Sequence, residues 1–202
     1  MKIIIIGAAG RIGKEVDQAL SDGNEIIRVG VRSGDYQCDY TDIESVKKMF
    51  VDIGEYDSLI SVAGRDSTFK SFQELDDEDY RYGFERKFLG QIRFLKYGEN
   101  TIRDNGSFVF TSGYLSHYPF PASIATGPLN AAVDTFVNNT APLLPRGIRI
   151  NVVSPAPIVE PGEESKGLVT AEETAKLYVQ AVEGNITGQV LRAWGGLPVV
   201  PQ

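Results

Sequence analysis

The sequence has almost no cysteine, the residue whose disulfides stabilise many secreted proteins, and no long apolar run of the kind that anchors membrane proteins. It contains one histidine, His117, and one cysteine, Cys38, which cannot form a disulfide within the chain. No disulfide framework is indicated, and we expect a cytoplasmic location. The apolar run IIII near the start is only four residues long, far below the ~18 residues of a membrane span, and no cleavage-site pattern follows it. We predict no signal peptide, no membrane partner and no metal site.

The charge also limits the partners. The 202 residues carry a net charge of −7, without a block of lysines or arginines at either end. This balance argues against nucleic acid or an anionic membrane as the main partner, although a small anionic ligand can still bind one local basic patch. The length and the 42% hydrophobic content fit one α/β domain.

Strand-like and helix-like segments alternate along the whole chain. KIIII at Lys2–Ile6 is a continuous apolar run, typical of a strand buried on both faces. Further strands are expected at EIIRVGV, YDSLISV, GSFVFTS, IRINVVS and GQVLRAW. Helices are expected at about 12–21, at DIESVKKMF, at about 79–97, at about 128–144 and after Thr170, where Glu173 completes a capping box. The alternation predicts a doubly wound parallel α/β sheet in a single domain over residues 1–202.

A glycine-rich turn joins the first strand to the first helix. In IIIIGAAGRIGKEV, Gly7, Gly10 and Gly13 follow a G-x-x-G-x-x-G spacing. Glycines let the backbone turn tightly and let amides at a helix N-terminus approach a pyrophosphate. Because this pattern lies between a buried strand and a helix, it predicts a dinucleotide site rather than an ordinary tight turn.

The end of the second strand bears on the choice between NAD and NADP. Arg32 and Ser33 lie at the corner where an acid favours NAD and an arginine favours the 2′-phosphate of NADP. A guanidinium fork and a hydroxyl suit a phosphate, so we predict NADP. Two alternatives remain: Asp35 as a ribose-binding acid, and Arg32 as a surface residue without a role in binding.

Six segments, in order, resemble landmarks of the short-chain dehydrogenase/reductase family: GAAGRIG, CDYTD, SVAG, GSFVFTSG, PRGIRINVVSPAP and TGQVLRAWGG. The resemblance covers nearly the whole chain and implies a Rossmann-type, NAD(P)-binding domain, oxidoreductase activity on small carbonyls or alcohols, and a homodimer or homotetramer. Besides Arg32 and Ser33, it places these residues at the cofactor: Gly7, Gly10, Arg11, Ile12, Gly13, Asp39, Ala63, Gly64 and Pro155.

The catalytic half departs from the family pattern. Thr126 aligns with the family's catalytic tyrosine, and Asn130 aligns with its lysine. The family's helical asparagine aligns with Lys87, so of the usual four residues only the serine is retained. The direct alignment of GSFVFTSG puts Ser112 on the first serine of the family's segment and Gly113 on the second, which is the usual catalytic one. A one-residue slip puts Ser112 on the catalytic serine, and we choose Ser112. Threonine is too weak an acid to replace tyrosine, and asparagine brings no charge.

A substitute site is predicted around Lys87. At helical spacing, Tyr80, Phe84, Phe88 and Leu95 form one apolar stripe, and Lys87 lies near its edge. A lysine there either reaches water or a salt-bridge partner, or points at Ser112 and the substrate.

The loop after the fourth strand, TSGYLSHYPF, adds Tyr114 and Tyr118 as candidate acids, and His117 belongs to a residue type that titrates near neutrality. We therefore predict a catalytic set of Ser112, Lys87 and Tyr114 or Tyr118. The alternative is a nicotinamide-binding sensor or scaffold without hydride chemistry.

Overall fold

The computed structural model describes residues 1–63 and 68–200. Seven strands form one sheet in the order β3-β2-β1-β4-β5-β6-β9, and all neighbouring strands are parallel. A separate two-stranded sheet pairs β7 with β8. The strands are β1 (Lys2–Ile6), β2 (Glu25–Gly30), β3 (Tyr36–Gln37), β4 (Tyr56–Ser61), β5 (Ile102–Thr111), β6 (Arg149–Pro155), β7 (Ile158–Val159), β8 (Val169–Thr170) and β9 (Val190–Ala193).

Helices cover both faces of the large sheet, which confirms the predicted doubly wound architecture. They are α1 (Arg11–Leu20), α2 (Ile43–Ile53), α3 (Asp77–Gly83), α4 (Gly90–Gly98), α5 (Gly127–Thr140) and α6 (Ala171–Glu183). The helix α6 begins with the predicted capping box of Thr170 and Glu173. Among the described helices, none combines the length and apolar composition that a bilayer-spanning segment needs.

Both faces of the strand β1 are buried, as its continuous apolar run predicts. Ile3 and Ile5 pack into a cluster with α1 and α6, whereas Ile4 and Ile6 pack into the cluster on the opposite face, with α2, α4 and α5. Successive side chains of a strand point to opposite faces, so a strand covered on both sides must be apolar at every position. The burial of both faces is consistent with the position of β1 in the interior of the sheet, between β2 and β4.

The segment from Asp77 to Gly98 is one continuous helix with a wider turn in its middle. Between α3 and α4, residues Phe84–Leu89 are π-helical, and the Gly90 N–H bonds to the Glu85 carbonyl, five residues earlier. The predicted apolar stripe is therefore wrong in its first half, since Tyr80 and Phe84 are exposed whereas Leu95 is buried. A π-turn shifts the phase of the helix, and π-turns are frequent at functional sites.

Short elements near the ends of the strands were not predicted. β3, β7 and β8 have two residues each, too few to show any periodicity. The pair β7 and β8 brackets the EPGEESKG segment and holds its two ends together at the C-terminal side of the sheet. This places the segment beside the strand ends where ligands of such sheets bind.

Candidate active site

The glycine turn forms a cradle at the C-terminal end of β1. Gly7 has φ 85°, and a Cβ on Gly13 would lie 2.2 Å from the Gly7 carbonyl oxygen, so neither position accepts an ordinary side chain. Gly10 caps α1 without any side-chain hydrogen bond, which leaves the first-turn amides available to an anion. The residues present fit a pyrophosphate.

Arg11, which follows the cradle, closes one side of the site. Its guanidinium donates to the Ile158 carbonyl oxygen at 3.0 Å and to Glu160 Oε1 at 2.7 Å. These contacts connect the glycine turn with the segment that follows β6. Ile12 and Gly13, the next residues of α1, also line the cleft described below.

The corner after β2 contains the residues that are candidates for binding the ribose or its 2′-phosphate. Arg32 and Ser33 are exposed there, and the Arg32 guanidinium makes no ion pair with any residue in 1–63 or 68–200. Asp35, the competing acid, accepts the Arg28 backbone N–H at 2.9 Å and pairs with the Arg28 guanidinium at 3.4 Å. Because its carboxylate is held by Arg28, Asp35 is the weaker candidate for the ribose.

The other predicted cofactor residues lie along the same edge of the sheet. Asp39 is exposed after β3, and hydrogen bonds from the Thr41 hydroxyl and amide hold its pKa below the usual value. Ala63 lies against the glycine cradle, with its amide 3.2 Å from where a Cβ on Gly7 would stand. Pro155 ends β6 and lines the cleft. Gly64 lies outside the described residues.

A cleft of about 560 Å³ opens beyond the ends of β4, β5 and β6. It has the size and the position expected of a ligand site in a doubly wound sheet. Its lining unites the glycine cradle with the predicted catalytic region. The lining residues include Gly10, Val62, Phe69, Lys87, Ser112, Tyr114, Phe120, Thr126, Asn130, Pro155 and Ile158.

Lys87 is the buried cation of this cleft. It lies in the π-helical segment, is 4% exposed, and its Nζ donates to the Ser112 backbone carbonyl oxygen at 3.0 Å. Gln91 fixes the same region, because its amide donates to the Lys87 and Thr111 carbonyls and accepts the Thr111 N–H. Lys87 Nζ therefore lies against the backbone of Ser112, the residue at which one of the two sequence alternatives directs it.

The end of β5 meets α5 through small residues. Ser112 is 3% exposed and lines the cleft. A Cβ on Gly113 would lie 2.9 Å from the Asn130 amide nitrogen, so a serine at this position would require the Asn130 side chain to shift. Thr126 and Asn130, the residues that the sequence aligns with the family's tyrosine and lysine, lie one helical turn apart, and both line the cleft.

The two candidate tyrosines have different surroundings. Tyr114 lines the cleft. Tyr118 stacks on Tyr114, but its hydroxyl donates to the Pro198 carbonyl and its ring packs edge-on against Trp194. His117 also turns away, with Nδ1 2.7 Å from the Val200 carbonyl oxygen. Tyr118 and His117 therefore hold the C-terminal segment rather than facing the cleft.

Asp134 is a residue that the sequence interpretation missed. It lies one turn beyond Asn130 on α5 and is 9% exposed. Burial raises the pKa of its carboxyl, and the Ser112 hydroxyl with the charges of Arg192, His117 and Lys87 offsets part of that shift. The i, i+4 spacing of Thr126, Asn130 and Asp134 was the signal that could have revealed it.

The raised pKa predicts how stability depends on pH. Between the ordinary pKa of aspartate and the raised pKa of Asp134, the folded state holds a proton that the unfolded state has lost. The free energy of unfolding therefore falls as pH rises through this range. Asp134→Asn should remove this loss, and a gain of about 1 kcal/mol would raise Tm by about 2–4 °C at neutral pH. Calorimetry at acidic and neutral pH checks this, and a lower Tm for the variant at neutral pH would contradict it.

Asp57→Asn is the matched control. Asp57 lies at the start of β4, at the opposite end of the strands from the cleft. Burial alone would raise the pKa of its carboxyl, but hydrogen bonds from the Lys2 N–H and the Arg103 guanidinium outweigh that effect and lower the pKa. Its contribution to stability is present at neutral pH and is lost as pH falls, so this variant should be less stable at neutral pH.

These features define a nucleotide-dependent enzyme class: a doubly wound sheet with a glycine cradle after its first strand, and a cleft containing a hydroxyl and an amine. The chain is similar to known proteins over most of its length. A family model described as enoyl-(acyl carrier protein) reductase matches residues 9–196. The chain belongs to the short-chain dehydrogenase/reductase family.

Individual relatives agree with this membership. An uncharacterized oxidoreductase of Methylorubrum extorquens is 27% identical over an alignment of 169 residues, which covers 71% of this chain and 66%, just under two thirds, of that protein. The protein lin1944 from Listeria innocua is 34% identical, with a TM-score of 0.90, over 96% of this chain and 100% of that one. A small-chain dehydrogenase in complex with NADPH is 25% identical, with a TM-score of 0.87, over 97% of each chain.

Proposed function

We propose that this protein is an NADP(H)-dependent oxidoreductase that acts on a small carbonyl or alcohol through a rearranged catalytic site. One observation carries the proposal. The buried Lys87 ammonium bonds to the Ser112 carbonyl oxygen inside the cleft. The alignment expected from the sequence puts Thr126 and Asn130 at the family's tyrosine and lysine positions, so in this proposal Lys87 supplies the cation from the helix on the other side of the cleft.

Several observations support NADP as the cofactor. The cradle of Gly7 and Gly13 fits a pyrophosphate, and Arg32 and Ser33 offer a cation and a hydroxyl to a 2′-phosphate. Asp35, which would favour NAD, is bound to Arg28. The small-chain dehydrogenase whose structure contains NADPH has the same fold. When bound, the nicotinamide supplies or accepts the hydride.

The residues of this chain would handle the substrate oxygen and its proton. Ser112 provides a hydroxyl that orients the carbonyl oxygen, and the positive charge of Lys87 stabilises negative charge that develops there. Tyr114 is the candidate acid that lines the cleft. The apolar side chains of Val62, Phe69 and Phe120 limit the access of water to this oxygen.

The two tyrosines can be separated by mutation. We expect Tyr114→Phe to lower turnover by more than about tenfold, because general acids contribute roughly a hundredfold or more. Tyr118→Phe should leave turnover nearly unchanged, since its hydroxyl bonds to Pro198. Steady-state rates at saturating NADPH measure both. Equal losses of turnover in the two variants would mean that the Tyr114 hydroxyl holds the loop after β5 in position and does not act as an acid.

A sensor or scaffold that binds NADPH without hydride chemistry is the second candidate. The loss of the usual tyrosine and lysine on α5 favours it. A panel of aldehydes, ketones and quinones distinguishes the two functions. The oxidoreductase predicts NADPH consumption with at least one member of the panel, whereas the sensor predicts a thermal shift with NADPH and no consumption.

Assembly and location remain part of the proposal. The resemblance implies a homodimer or homotetramer, and on α5 the side chains of Val133 and Val137 are buried against the sheet of their own chain. On the long helix, the aromatic side chains of Tyr80, Tyr82 and Phe84 are exposed. A cytoplasmic location rests on the single, buried Cys38.

A further inference from the structure

Two exposed phenylalanines form part of the cleft wall. Phe69 and Phe120 are 52% and 46% exposed, and both line the cleft that contains Lys87 and Ser112. Their ring centroids are 6.0 Å apart and their planes differ by 4°, so the two rings are parallel although they come from different segments of the chain. Large apolar side chains that stay exposed beside a cleft indicate a surface for a ligand.

The segments that carry the two rings are restrained by local hydrogen bonds. Lys70, the neighbour of Phe69, donates from Nζ to both carboxylate oxygens of Asp79, at 2.9 and 2.8 Å. The Phe120 N–H donates to Ser123 Oγ at 2.9 Å, and that hydroxyl donates to the Phe120 carbonyl oxygen at 2.8 Å. Because the backbone beside each ring is restrained, less ordering is needed when a ligand packs on the pair.

The charged groups of the cleft are already bonded to protein atoms. In the described lining, Arg11 and Lys87 are the two residues with a full charge. Arg11 pairs with Glu160 and donates to the Ile158 carbonyl oxygen, whereas Lys87 donates to the Ser112 carbonyl oxygen and, in the proposed reaction, serves the substrate carbonyl. A carboxylate or phosphate elsewhere on the substrate would lose its water without gaining a cation from this lining. The cleft therefore favours an uncharged molecule.

An aromatic ring is the apolar group that best complements the parallel pair. Aromatic rings attract one another in offset-stacked or edge-to-face arrangements with centroids about 4.5–7 Å apart, and this attraction adds to the effect of area burial. A saturated ring of similar size would also bury apolar area against Phe69 and Phe120, but it has no π face. The pair should therefore distinguish an aromatic carbonyl compound from its saturated counterpart.

We propose that Phe69 and Phe120 determine the substrate class, and that the enzyme acts on uncharged aromatic aldehydes or aryl ketones whose ring packs on this pair. The inference rests on the proposed function and deepens it, because it states which carbonyl compounds enter the cleft. The carbonyl is reduced to an alcohol, its carbon gaining the hydride of NADPH and its oxygen gaining a proton.

Benzaldehyde and cyclohexanecarbaldehyde are the matched probes, since both have a six-membered ring on an aldehyde carbon and neither is charged. The ratio of their kcat/KM values at saturating NADPH is measured in the natural protein, in Phe69→Leu and in Phe120→Leu. Each leucine should lower the ratio of benzaldehyde to cyclohexanecarbaldehyde by about twofold to tenfold, the scale of one aromatic pair. Comparing this ratio between variants removes the different intrinsic reactivity of the two aldehydes.

Phe72→Leu is the matched control for the leucine variants. Phe72 is 64% exposed and does not belong to the described lining of the cleft, so its leucine variant should keep the natural ratio. Phe69→Tyr and Phe120→Tyr retain a ring and should also keep it, and a calorimetric scan checks that each variant folds. A ratio that is unchanged in Phe69→Leu or in Phe120→Leu, or that falls equally in Phe72→Leu, would overturn the inference.

The charge of the substrate is tested with 4-formylbenzoate and its neutral methyl ester. The natural protein should show a kcat/KM for the ester that exceeds the value for the carboxylate by about tenfold or more, because burying a charge without a partner is costly. A preference for the carboxylate would contradict the uncharged substrate class.

Binding of benzamide and cyclohexanecarboxamide, which do not accept the hydride, separates this inference from the proposed function. Titration calorimetry of the natural protein saturated with NADPH should show tighter binding of benzamide, and Phe69→Leu and Phe120→Leu should remove most of the difference. If this pattern is found but no carbonyl compound is turned over, the proposed function fails and the recognition of an aromatic ring stands. If carbonyl compounds are turned over but benzamide has no advantage, the inference about the substrate class fails alone.

Discussion

Replacing Lys87 with methionine should lower turnover by about a hundredfold at saturating NADPH, because groups that stabilise charge or transfer protons contribute on that scale. Methionine keeps most of the length of the buried stem and removes the charge, together with the bond to the Ser112 carbonyl. The fold should survive, since methionine adapts well to irregular core space. Steady-state kinetics with a carbonyl found in the panel measures the effect, and a calorimetric scan confirms folding.

Thr126→Ala is the matched control for the Lys87 variant. Thr126 lines the same cleft and stands where the family has its tyrosine, so a conventional site would lose most of its activity there. We expect the alanine variant to retain most of its turnover, and the same holds for Asn130→Ala if the enzyme folds normally. A silent Lys87→Met in an active enzyme, or a large loss in Thr126→Ala, would contradict the substitute site around Lys87.

Arg32→Ala should weaken NADPH binding by several-fold to about a hundredfold, which corresponds to about 1–3 kcal/mol for a charge-assisted contact to the 2′-phosphate. NADH lacks this phosphate, so its affinity should not change. Because Arg32 is exposed, its removal should not affect folding. Calorimetric titration of the natural protein and the variant with both nucleotides measures the two affinities.

Asp35→Asn provides the comparison for the cofactor site. The Asp35 carboxylate is bound by Arg28, so we expect this variant to keep the ratio of NADPH to NADH affinity. A natural protein that binds the two nucleotides equally would contradict the preference for NADP. An Asp35→Asn variant that loses NADH affinity selectively would restore Asp35 as the ribose ligand.

Much of the fold could be predicted because burial leaves a direct mark on sequence. The run KIIII became a central strand with alternate side chains in two clusters, and Thr170 with Glu173 formed the predicted cap. The π-turn at Phe84–Leu89 could not be predicted, since a single wider turn leaves no periodic signal of its own. It displaced the expected apolar stripe and placed Lys87 inside the cleft.

The candidate site was only partly visible in the sequence. The glycine spacing predicts a cradle because steric exclusion of side chains is local, and the structure places Gly7 and Gly13 in contact accordingly. Tyr118 differs from Tyr114 because its hydroxyl bonds to the C-terminal segment, which is about eighty residues further along the chain. The burial of Asp134 depends on how α5 packs on the rest of the fold. Such long-range contacts leave no local pattern.

The central claim is that hydride chemistry persists without the usual tyrosine and lysine. It is tested most directly with NADPH that carries deuterium at C4 of the nicotinamide, incubated with the natural protein and the carbonyl panel and analysed by mass spectrometry. The account predicts an alcohol product with deuterium on its carbinol carbon, and much slower formation of that product by Lys87→Met. NADPH that binds and protects the protein against heat, yet transfers no deuterium to any member of the panel, would contradict it.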